Sequence, residues 1–443
     1  MSFAQLAQIL GCADVRALGV ITGWSIDSRM TLPGDIFFAL PGIHSDGHDY
    51  VVAALQKGAL AAIVERPMPG LPVLQVCNSE KALALVASQA RQWWDGTVIG
   101  VTGSAGKTST KDIVAALVSV EHPTGKTIGN LNNHLGVPLS LLWLADSSRY
   151  AVLEMGMNHA GEIRHLCAIA RPNVAVVTNV GYAHIENFSS IEEIAAAKRE
   201  LVEALPADGL AVLNYDDARV REFAPAGRRV RYGIGEGADV RPDQVQLGAV
   251  ETTFRLDGVN FRSKLTGRHS LSNLLAGLTV ARELGTKLDH LRDAVNLLEP
   301  GKMRGERQQL DGITILDDCY NSNPDAVRAM LDVLAAAPAA RRIAVLGEML
   351  ELGPSAEELH RSAGNYAAAT GVTVLLGIRG AARHLIDAGR ASGLDAGAAL
   401  FFESPEEAGD YLRTIARAGD VILFKGSRGT RTELALNRFL EGR

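Results

Sequence analysis

Residues 101–110, VTGSAGKTST, combine glycines, a lysine and hydroxyl side chains at the spacing of a phosphate-binding loop. Glycines let backbone N–H groups curl around a phosphate, and the N-terminus of a following helix adds partial positive charge. Lys107 would contact the outer phosphates of a nucleotide, and the Thr108 hydroxyl would bind Mg²⁺. The common form of this loop has glycine where Val101 stands, whereas here the loop's first glycine is Gly103. The segment predicts a nucleotide site with an unusual loop; a glycine turn beside a surface lysine is the simpler alternative.

A carboxylate and an imidazole follow two later apolar stretches. Glu154 closes YAVLEMG and His184 follows NVAVVTNVG, so both are predicted at the carboxyl ends of strands. Ligands of open parallel sheets bind at this edge. Glu154 could hold Mg²⁺ through oxygen or serve as a capping or salt-bridged acid, and His184 could bind a ligand or be structural. Their common edge with the phosphate loop favours a role at the nucleotide.

A lysine occupies an unusual position on a predicted helix. In IEEIAAAKRELVEAL the apolar stripe includes Ile194 and Leu201, and Lys198 falls on it, four residues after the first and three before the second. Long cationic side chains normally reach outward. Lys198 therefore either extends to the edge of the core or lies inside with a lowered pKa.

The elements that must position these residues alternate between strand and helix. From Thr97 to about Leu298, the apolar stretches TVIGVT, YAVLEMG, NVAVVTNVG and GLAVLNYDD are separated by helical segments such as AGEIRHLCAIA. This alternation predicts a mostly parallel sheet covered by helices on both faces. The stretch from RRVRYGIG to FRSKLTG is more β-like, and we interpret it as a hairpin insertion.

Two further α/β units flank this region. Before it, GDIFFAL and AAIVE read as strands and VVAALQKGA as a helix. After the linker EPGKMRGERQ, a second alternating series, GITILDDCY, RRIAVLGEM, VTVLLGIRG, AALFFES and GDVILFKGS, predicts a Rossmann-like, doubly wound domain. We therefore predict an α/β protein of three domains, with bounds 1–95, 96–300 and 301–443.

The bulk composition excludes several classes of protein. The 443 residues carry a formal net charge of −6, which gives no general attraction to nucleic acid or to an anionic membrane. No apolar run reaches the roughly 18 residues of a transmembrane helix, and the first residues lack a secretion signal. Scattered cysteines without a CxxC pair indicate a reducing cytoplasm and no zinc site; they are Cys12, Cys77, Cys167 and Cys319.

Six motifs in order resemble a known family. TGSAGKT, LEMGMNHAGEI, TNVGYAHIENF, AKRE, GRHSLSN and DDCYNSNPD together resemble the Mur ligases, ATP-dependent amide-forming enzymes of peptidoglycan synthesis. The family's loop has the form TGxxGK[ST], which accounts for the position of Gly103. The resemblance covers nearly the whole chain. It implies an N-terminal uridine-nucleotide domain, a central P-loop ATPase domain and a C-terminal domain that closes over both and brings the incoming dipeptide.

Within the family, GNLNNHLGVPLSLL, EMGMNHAGEI and DDCYNSNPDAVRAML are most similar to members that join D-alanyl-D-alanine to UDP-N-acetylmuramoyl-tripeptide. The implied reaction passes through an acyl-phosphate and gives UDP-N-acetylmuramoyl-pentapeptide, ADP and phosphate. Its cofactors would be ATP and two Mg²⁺ ions. The implied protein is cytoplasmic and monomeric, with no nucleic-acid partner and no stable membrane insertion.

The resemblance also implies roles for individual residues. Thr108 and Glu154 would bind the first Mg²⁺; Glu154 and His184 would bind the second, beside Lys198 as a carbamate. The catalytic set would be Lys107, Glu154, His184 and Lys198. The residues that contact ATP would be Gly103, Ser104, Ala105, Gly106, Lys107, Thr108, Asn273, Arg304 and Asp318.

Substrate contacts are implied in all three domains. Ser28 and Arg29 would lie at the uridine, and Asn132 and Asn133 at the muramoyl group. The segments GEMLELG and FKGSRGT are expected near the dipeptide site, with Lys425, Ser427 and Arg428 as the candidate residues. KGSRGTR could instead be a solvated basic turn. The assignment of Arg304 has a rival in Arg307, three residues along the same segment.

Two alternative functions share some of these sequence features. The first is another ligase of the superfamily, such as the diaminopimelate- or lysine-adding enzyme or folylpolyglutamate synthase. The uridine-type N-terminal segment argues against the folate enzyme, and DDCYNSNPD argues against the other muramoyl ligases. The second is a nucleotide-regulated switch without ligase chemistry, for which His184, an inward Lys198 and a second large α/β domain have no obvious use.

Overall fold

The computed structural model describes residues 1–12 and 19–441. Its first unit is a four-stranded parallel sheet in the order β1-β2-β3-β4. β2 and β3 are buried at every position, as expected for strands covered on both faces. The strands are β1 (Gly23–Ser25), β2 (Asp35–Phe38), β3 (Ala61–Val64) and β4 (Val73–Gln75), and the helices are α1 (Phe3–Ile9), α2 (Val51–Gln56) and α3 (Ser79–Trp93).

The central unit is built on a six-stranded, fully parallel sheet. Its strands are β5 (Thr97–Thr102), β6 (Thr124–Lys126), β7 (Tyr150–Glu154), β8 (Val174–Val177), β9 (Leu210–Asn214) and β10 (Arg228–Tyr232), in the order β10-β9-β8-β5-β7-β6. β5 therefore lies between β7 and β8. The turns after these three strands meet at one edge, which brings together the phosphate loop and the segments carrying Glu154 and His184.

Helices cover both faces of this sheet. α4 and α8 pack in one apolar cluster, and α5, α6 and α7 pack in the other. The predicted parallel sheet with two covered faces is confirmed. The helices are α4 (Lys107–Val118), α5 (Gly136–Leu142), α6 (Glu162–Ala170), α7 (Ile191–Glu203), α8 (Arg268–Glu283) and α9 (Arg292–Leu297).

The prediction of one hairpin insertion after the central strands is wrong for its first part. β10 pairs in parallel with β9, with Tyr232 opposite Asn214, and so forms the edge of the central sheet. Tyr232 is fully buried in the same apolar cluster as Val212, which holds β10 there. The rest forms a separate antiparallel sheet of three strands, β11 (Asp243–Leu247), β12 (Thr252–Leu256) and β13 (Val259–Ser263).

The third unit has the predicted doubly wound form. Five parallel strands carry one antiparallel edge strand, β14, which the sequence reading missed within the linker segment. The strands are β14 (Glu306–Leu310), β15 (Ile313–Asp318), β16 (Arg341–Gly347), β17 (Val374–Ile378), β18 (Ala399–Phe402) and β19 (Asp420–Lys425), in the order β14-β15-β19-β16-β17-β18.

Five helices cover the two faces of the third sheet. α10, α11 and α12 pack on one face, and α13 and α14 on the other. They are α10 (Pro324–Ala336), α11 (Ala356–Ala369), α12 (Ala382–Ala391), α13 (Pro405–Ile415) and α14 (Glu433–Leu440). The three-part α/β architecture is thus confirmed, whereas the domain bounds at 95 and 300 stay a prediction. In the described part of the chain, no helix combines the length and apolar character needed to cross a bilayer.

Candidate active site

A cavity of about 650 Å³ lies between the central and third units. Its wall combines the start of α4, the ends of β7 and β15, the start of α8 and the turn before α10. Twelve residues predicted from the sequence line it: Ser104, Ala105, Gly106, Lys107, Thr108, Asn132, Glu154, His184, Asn273, Arg304, Asp318 and Lys425. The predicted residues outside this lining are Gly103, Lys198, Ser28, Arg29, Asn133, Ser427 and Arg428.

The phosphate loop requires glycine at two positions. Gly106 has φ +79°, a conformation that L side chains rarely adopt, and a Cβ there would lie 2.6 Å from Asn273 Oδ1. A Cβ on Gly103 would lie 1.8 Å from Thr178 Oγ1. The loop is therefore fixed by close packing against α8 and the turn after β8.

The residues between these glycines are held by the turn after β8. Ser104 Oγ accepts from Gly181 N at 2.8 Å, and Ala105 N donates to the Asn179 side chain at 2.8 Å. Ser104 N donates to Asn179 O at 3.0 Å. These polar groups therefore form hydrogen bonds within the protein. In the described structure, no side chain caps the first turn of α4. The backbone N–H groups of this turn are therefore available to bind phosphate.

Lys107 lies across the loop at the first position of α4. Its Nζ donates to Gly103 O at 2.8 Å, and the side chain is half-buried. Desolvation lowers the pKa of Lys107, while the negative charge of Glu154 acts in the opposite direction. A partly desolvated ammonium at this place is suited to contact the outer phosphates of a nucleotide.

Glu154 is a buried carboxylate with one uncompensated oxygen. Its side chain is 1% exposed, and Oε1 accepts from Asn132 Nδ2 at 2.8 Å. Oε2 is buried and has no hydrogen-bond partner among the residues that the structure describes. Burying an unpaired carboxylate oxygen is costly, so this atom fits a cation in the cavity better than a capping role.

We expect Asn132→Ala to weaken metal binding because the orientation of Glu154 depends on this amide. The apparent affinity for Mn²⁺ in the presence of ADP, measured by electron paramagnetic resonance, should fall about tenfold. Asn260→Ala, at an exposed position on β13, is the matched control and should bind Mn²⁺ as the unmodified protein does. Equal affinity in both variants would contradict the proposed dependence.

His184 contacts the third unit. Its Nδ1 lies 2.6 Å from Glu351 Oε2, and its side chain is 19% exposed. The backbone of His184 has φ +63°, which is uncommon for a residue with a side chain. His184 lies at the carboxyl edge of the sheet, as predicted.

Lys198 faces inward, as its place on the apolar stripe of α7 predicts. Its side chain is 1% exposed, among residues such as Ile194 and Leu201. Burial holds the pKa of Lys198 well below its ordinary value, and the positive charge of Lys107 acts in the same direction. Of the two readings left open by the sequence, the buried amine is confirmed.

In residues 1–12 and 19–441, no group of three or more His, Cys, Asp and Glu side chains is arranged to hold a metal ion.

A second cavity of about 310 Å³ is lined partly by the same residues. His269, Asn273 and Arg304 line both cavities, and Asn273 Oδ1 accepts from Thr110 Oγ1 at 3.2 Å. The Arg304 guanidinium lies 3.8 Å from the centre of the Tyr320 ring. The second cavity lies beside the first and is also lined by the linker residues Glu299, Pro300 and Gly301.

The structure separates the two rival arginines. Arg307 donates to the backbone oxygen of Ala249 and lines neither cavity, whereas Arg304 lines both. We expect Arg304→Ala to raise the KM for ATP about tenfold, because one charged contact to the nucleotide is lost. Arg307→Ala should leave this KM within about twofold of the unmodified value. Steady-state kinetics with both variants decides the assignment; an effect of Arg307→Ala alone would reverse it.

The KGSRGTR segment divides into two parts. Lys425 lines the cavity, is 2% exposed and donates to Asp318 Oδ2 at 2.6 Å. Ser427 accepts from Leu350 N at 2.9 Å and donates to Ser322 O at 3.3 Å, so its hydroxyl is used internally. Arg428 is 64% exposed and pairs with Glu433. Only Lys425 of this segment borders the cavity in the described structure.

Two predicted substrate positions lie elsewhere. Arg29, in the first unit, is 86% exposed and pairs with Asp27 at 2.7 Å, which lowers the pKa of Asp27 to about 2. Asn133 Oδ1 accepts from Gly136 N at 2.9 Å at the start of α5, a role in local structure.

Two residues of the site region were not predicted from the sequence. Lys111 on α4 is 1% exposed and donates to Thr127 O at 2.9 Å and Gly129 O at 3.1 Å, which shapes the turn leading to Asn132. Its position one helical turn after Lys107 was the available signal. Glu351 lies in GEMLELG, a segment expected near the dipeptide site, but its contact with His184 was not predicted because it joins segments far apart in sequence.

Comparison with protein-family models gives three matches. Residues 20–118 match the model described as "Mur ligase family, catalytic domain", residues 101–281 match "Mur ligase middle domain", and residues 303–428 match "Mur ligase, glutamate ligase domain". The chain belongs to the Mur ligase family, as its motifs predict.

Particular relatives share one name. UDP-N-acetylmuramoyl-tripeptide–D-alanyl-D-alanine ligase of Synechocystis sp. is 36% identical over 94% of this chain and 90% of its own length. The ligase of the same name from Escherichia coli is 35% identical over 85% of this chain and 86% of its own length. The similarity therefore extends over nearly the whole of both proteins.

Solved structures are similar to this chain over nearly its whole length. A crystal structure of MurF from Acinetobacter baumannii has a TM-score of 0.90 at 31% identity and covers 99% of this chain and 98% of its own. MurF ligase from Thermotoga maritima, in complex with ADP, has a TM-score of 0.84 at 32% identity and covers 96% of this chain and 98% of its own.

Proposed function

We propose that this protein joins D-alanyl-D-alanine to UDP-N-acetylmuramoyl-tripeptide at the expense of ATP. The products are UDP-N-acetylmuramoyl-pentapeptide, ADP and phosphate. The observation that carries the proposal is the cavity between the central and third units, which brings Lys107, Glu154 and His184 together opposite Asp318 and Lys425. Full-length similarity to ligases named for this reaction supports the choice of substrates.

The chemistry explains why a nucleotide is needed. A carboxylate does not react with an amine at neutral pH, because oxide is too poor a leaving group. An oxygen of the tripeptide carboxylate therefore attacks the γ-phosphorus of ATP, and the bond from this phosphorus to the bridging oxygen of ADP breaks. Both reactants are anionic, so the attack needs positive charge, which Lys107 and the first turn of α4 provide.

The residues of the cavity fit the implied metal. Bound Mg²⁺ would supply further positive charge for the phosphates and the acyl oxygen. The unpaired Oε2 of Glu154 is an available oxygen ligand, and Thr108 and His184 border the same space. Burial disfavours the charged form of Lys198, so its amine is suited to bond to the carbon of CO₂ and lose a proton, which would give a carbamate anion near Lys107.

The second step forms the amide. The free amine of D-alanyl-D-alanine attacks the acyl carbon, the tetrahedral intermediate expels phosphate, and the amine proton passes to a base. Water would destroy the acyl-phosphate, so it must be excluded while both substrates are bound. A cavity walled by two units meets this requirement when they are docked.

The remaining residues complete the proposal. Asn273 contacts the adenine of ATP, and Arg304 and Asp318 contact the nucleotide from the third unit. The first unit binds the uridine part of the substrate near Ser28 and Arg29. Asn132 and Asn133 lie on the segment that faces the muramoyl group, and Lys425 is the strongest candidate for a dipeptide contact. The protein acts as a monomer in the cytoplasm, where ATP and nucleotide-linked precursors are available.

Mass spectrometry of the product tests the proposal directly. Incubation with UDP-N-acetylmuramoyl-tripeptide, D-alanyl-D-alanine, ATP and Mg²⁺ should increase the acceptor's mass by the mass of two alanine residues. Separate reactions with free diaminopimelate or lysine in place of the dipeptide should give no product. Phosphate release from ATP alone, with no dependence on either substrate, would instead favour a nucleotide-regulated switch.

A further inference from the structure

Two loops from different units meet beside the cavity. The turn after β8 carries His184, and the turn after β16 carries Glu351. His184 Nδ1 lies 2.6 Å from Glu351 Oε2, and Glu186 N donates to Glu351 O at 3.2 Å. The two loops therefore contact each other through side-chain atoms and through backbone atoms.

Both loops adopt strained backbone conformations at this meeting point. His184 has φ +63° and Glu351 has φ +64°, in the left-handed region that disfavours residues with a Cβ. Gly353, at φ +52°, packs so closely that an added Cβ would lie 2.9 Å from Glu186 Cβ. Such conformations persist only where the surroundings determine them strongly, so this contact is a specific feature of the docked arrangement.

The loop that carries Glu351 is anchored within its own unit. Met349 N donates to His360 Nε2 at 2.9 Å, and Leu350 N donates to Ser427 Oγ at 2.9 Å. His360 is fully buried and Ser427 is 3% exposed. Glu351 therefore lies on a loop that is held in place within the third unit. Its position relative to His184 depends on how the third unit is docked on the central unit.

We propose that Glu351 is a positioning residue that orients the His184 ring through Nδ1 only when the third unit is docked on the central unit. This inference rests on the proposed function, in which His184 serves the phosphate-transfer site. With Nδ1 held by a carboxylate, Nε2 is the nitrogen available to a metal ion or phosphate, an arrangement common around metal-binding histidines. Glu351 thereby couples the docking of the two units to completion of the site.

This contact lies beside the reacting groups. His184 lines the same cavity as Lys107. The Nδ1 atom of His184 is buried, and its 2.6 Å approach to Glu351 Oε2 is an ion-pair contact rather than an aligned hydrogen bond. Glu351 is therefore close enough to His184 to affect the orientation of its ring.

Variants of Glu351 test the proposal through metal binding as well as turnover. For Glu351→Ala we expect the affinity for Mn²⁺ in the presence of ADP to fall about tenfold, and kcat to fall about 10- to 100-fold. Glu351→Gln, which keeps the shape, should lose at least about threefold in Mn²⁺ affinity because a neutral amide orients the ring less strongly. Small-angle scattering with ADP, Mg²⁺ and the UDP substrate should show a more extended molecule for Glu351→Ala.

The control is Glu357→Gln, an exposed carboxylate on α11 that pairs with Arg361 away from the cavity. It should match the unmodified protein in Mn²⁺ affinity, scattering and kcat. If Glu351→Ala does not fold, as judged by its thermal transition, the Mn²⁺ affinity of Glu351→Gln decides. Unmodified affinity in the folded Glu351 variants overturns the inference, whereas absence of pentapeptide product from the unmodified protein overturns the proposed function instead.

Discussion

Replacing Lys107 by methionine should lower kcat about a thousandfold while leaving the fold intact, because a preorganised cation is lost from the place where phosphoryl charge develops. Methionine keeps the length and apolar stem of the side chain without its charge. Within the described part of the chain, the side chain of Lys107 donates to one backbone oxygen of its own loop, Gly103 O, so little structure depends on it. Phosphate release that depends on both substrates, measured by a coupled assay at saturating ATP, gives the value of kcat.

Lys81→Met is the matched control for this experiment. Lys81 is exposed in the first turn of α3, away from both cavities, and its replacement should leave kcat within about twofold of the unmodified value. A Lys107→Met variant that keeps a tenth or more of the activity would show that the loop serves something other than phosphoryl transfer.

Replacing Lys198 by methionine should lower kcat about a hundredfold and leave the free energy of unfolding unchanged or higher. Activity falls because the carbamate that is proposed to hold metal near the phosphates cannot form. Stability does not fall, because folding no longer has to remove an amine from water; burial already holds the pKa of this lysine well below its ordinary value. Kinetics and urea unfolding of one protein preparation measure both effects.

The carbamate itself is observable. Protein equilibrated with ¹³C-bicarbonate should show a carbamate carbon resonance in the unmodified protein that Lys198→Met lacks. Lys287→Met, at an exposed position, should keep both the resonance and the activity. A folded Lys198→Met variant that is fully active would contradict the proposed role, and a variant that has unfolded would contradict the expected stability.

Much of this fold follows from local pattern. The stretches TVIGVT, YAVLEMG and NVAVVTNVG became β5, β7 and β8 because continuous apolar runs suit strands that are buried on both faces. The inward position of Lys198 followed from helical periodicity alone. The place of β10 did not follow, because RRVRY alternates in a way that fits either a free hairpin or the edge of a sheet, and only the packing of Tyr232 in the central core decides.

The site could be predicted only where chemistry is local in sequence. The phosphate loop is contiguous, and Glu154 and His184 follow strands, so topology places all three at one edge. Contacts between units could not be predicted from the sequence in this way. The pairing of His184 with Glu351 joins segments about 170 residues apart along the chain, and the position of Arg304 in the cavity, with Arg307 outside it, depends on how the linker enters β14.

The central claim is that ATP makes the acceptor's carboxyl group electrophilic by transferring a phosphoryl group to it. The most direct measurement labels both oxygens of that terminal carboxylate with ¹⁸O and follows the label by mass spectrometry during complete conversion. The account predicts that each orthophosphate formed carries one ¹⁸O atom and that the new amide carbonyl retains the other. Pentapeptide formed together with unlabelled orthophosphate would contradict it.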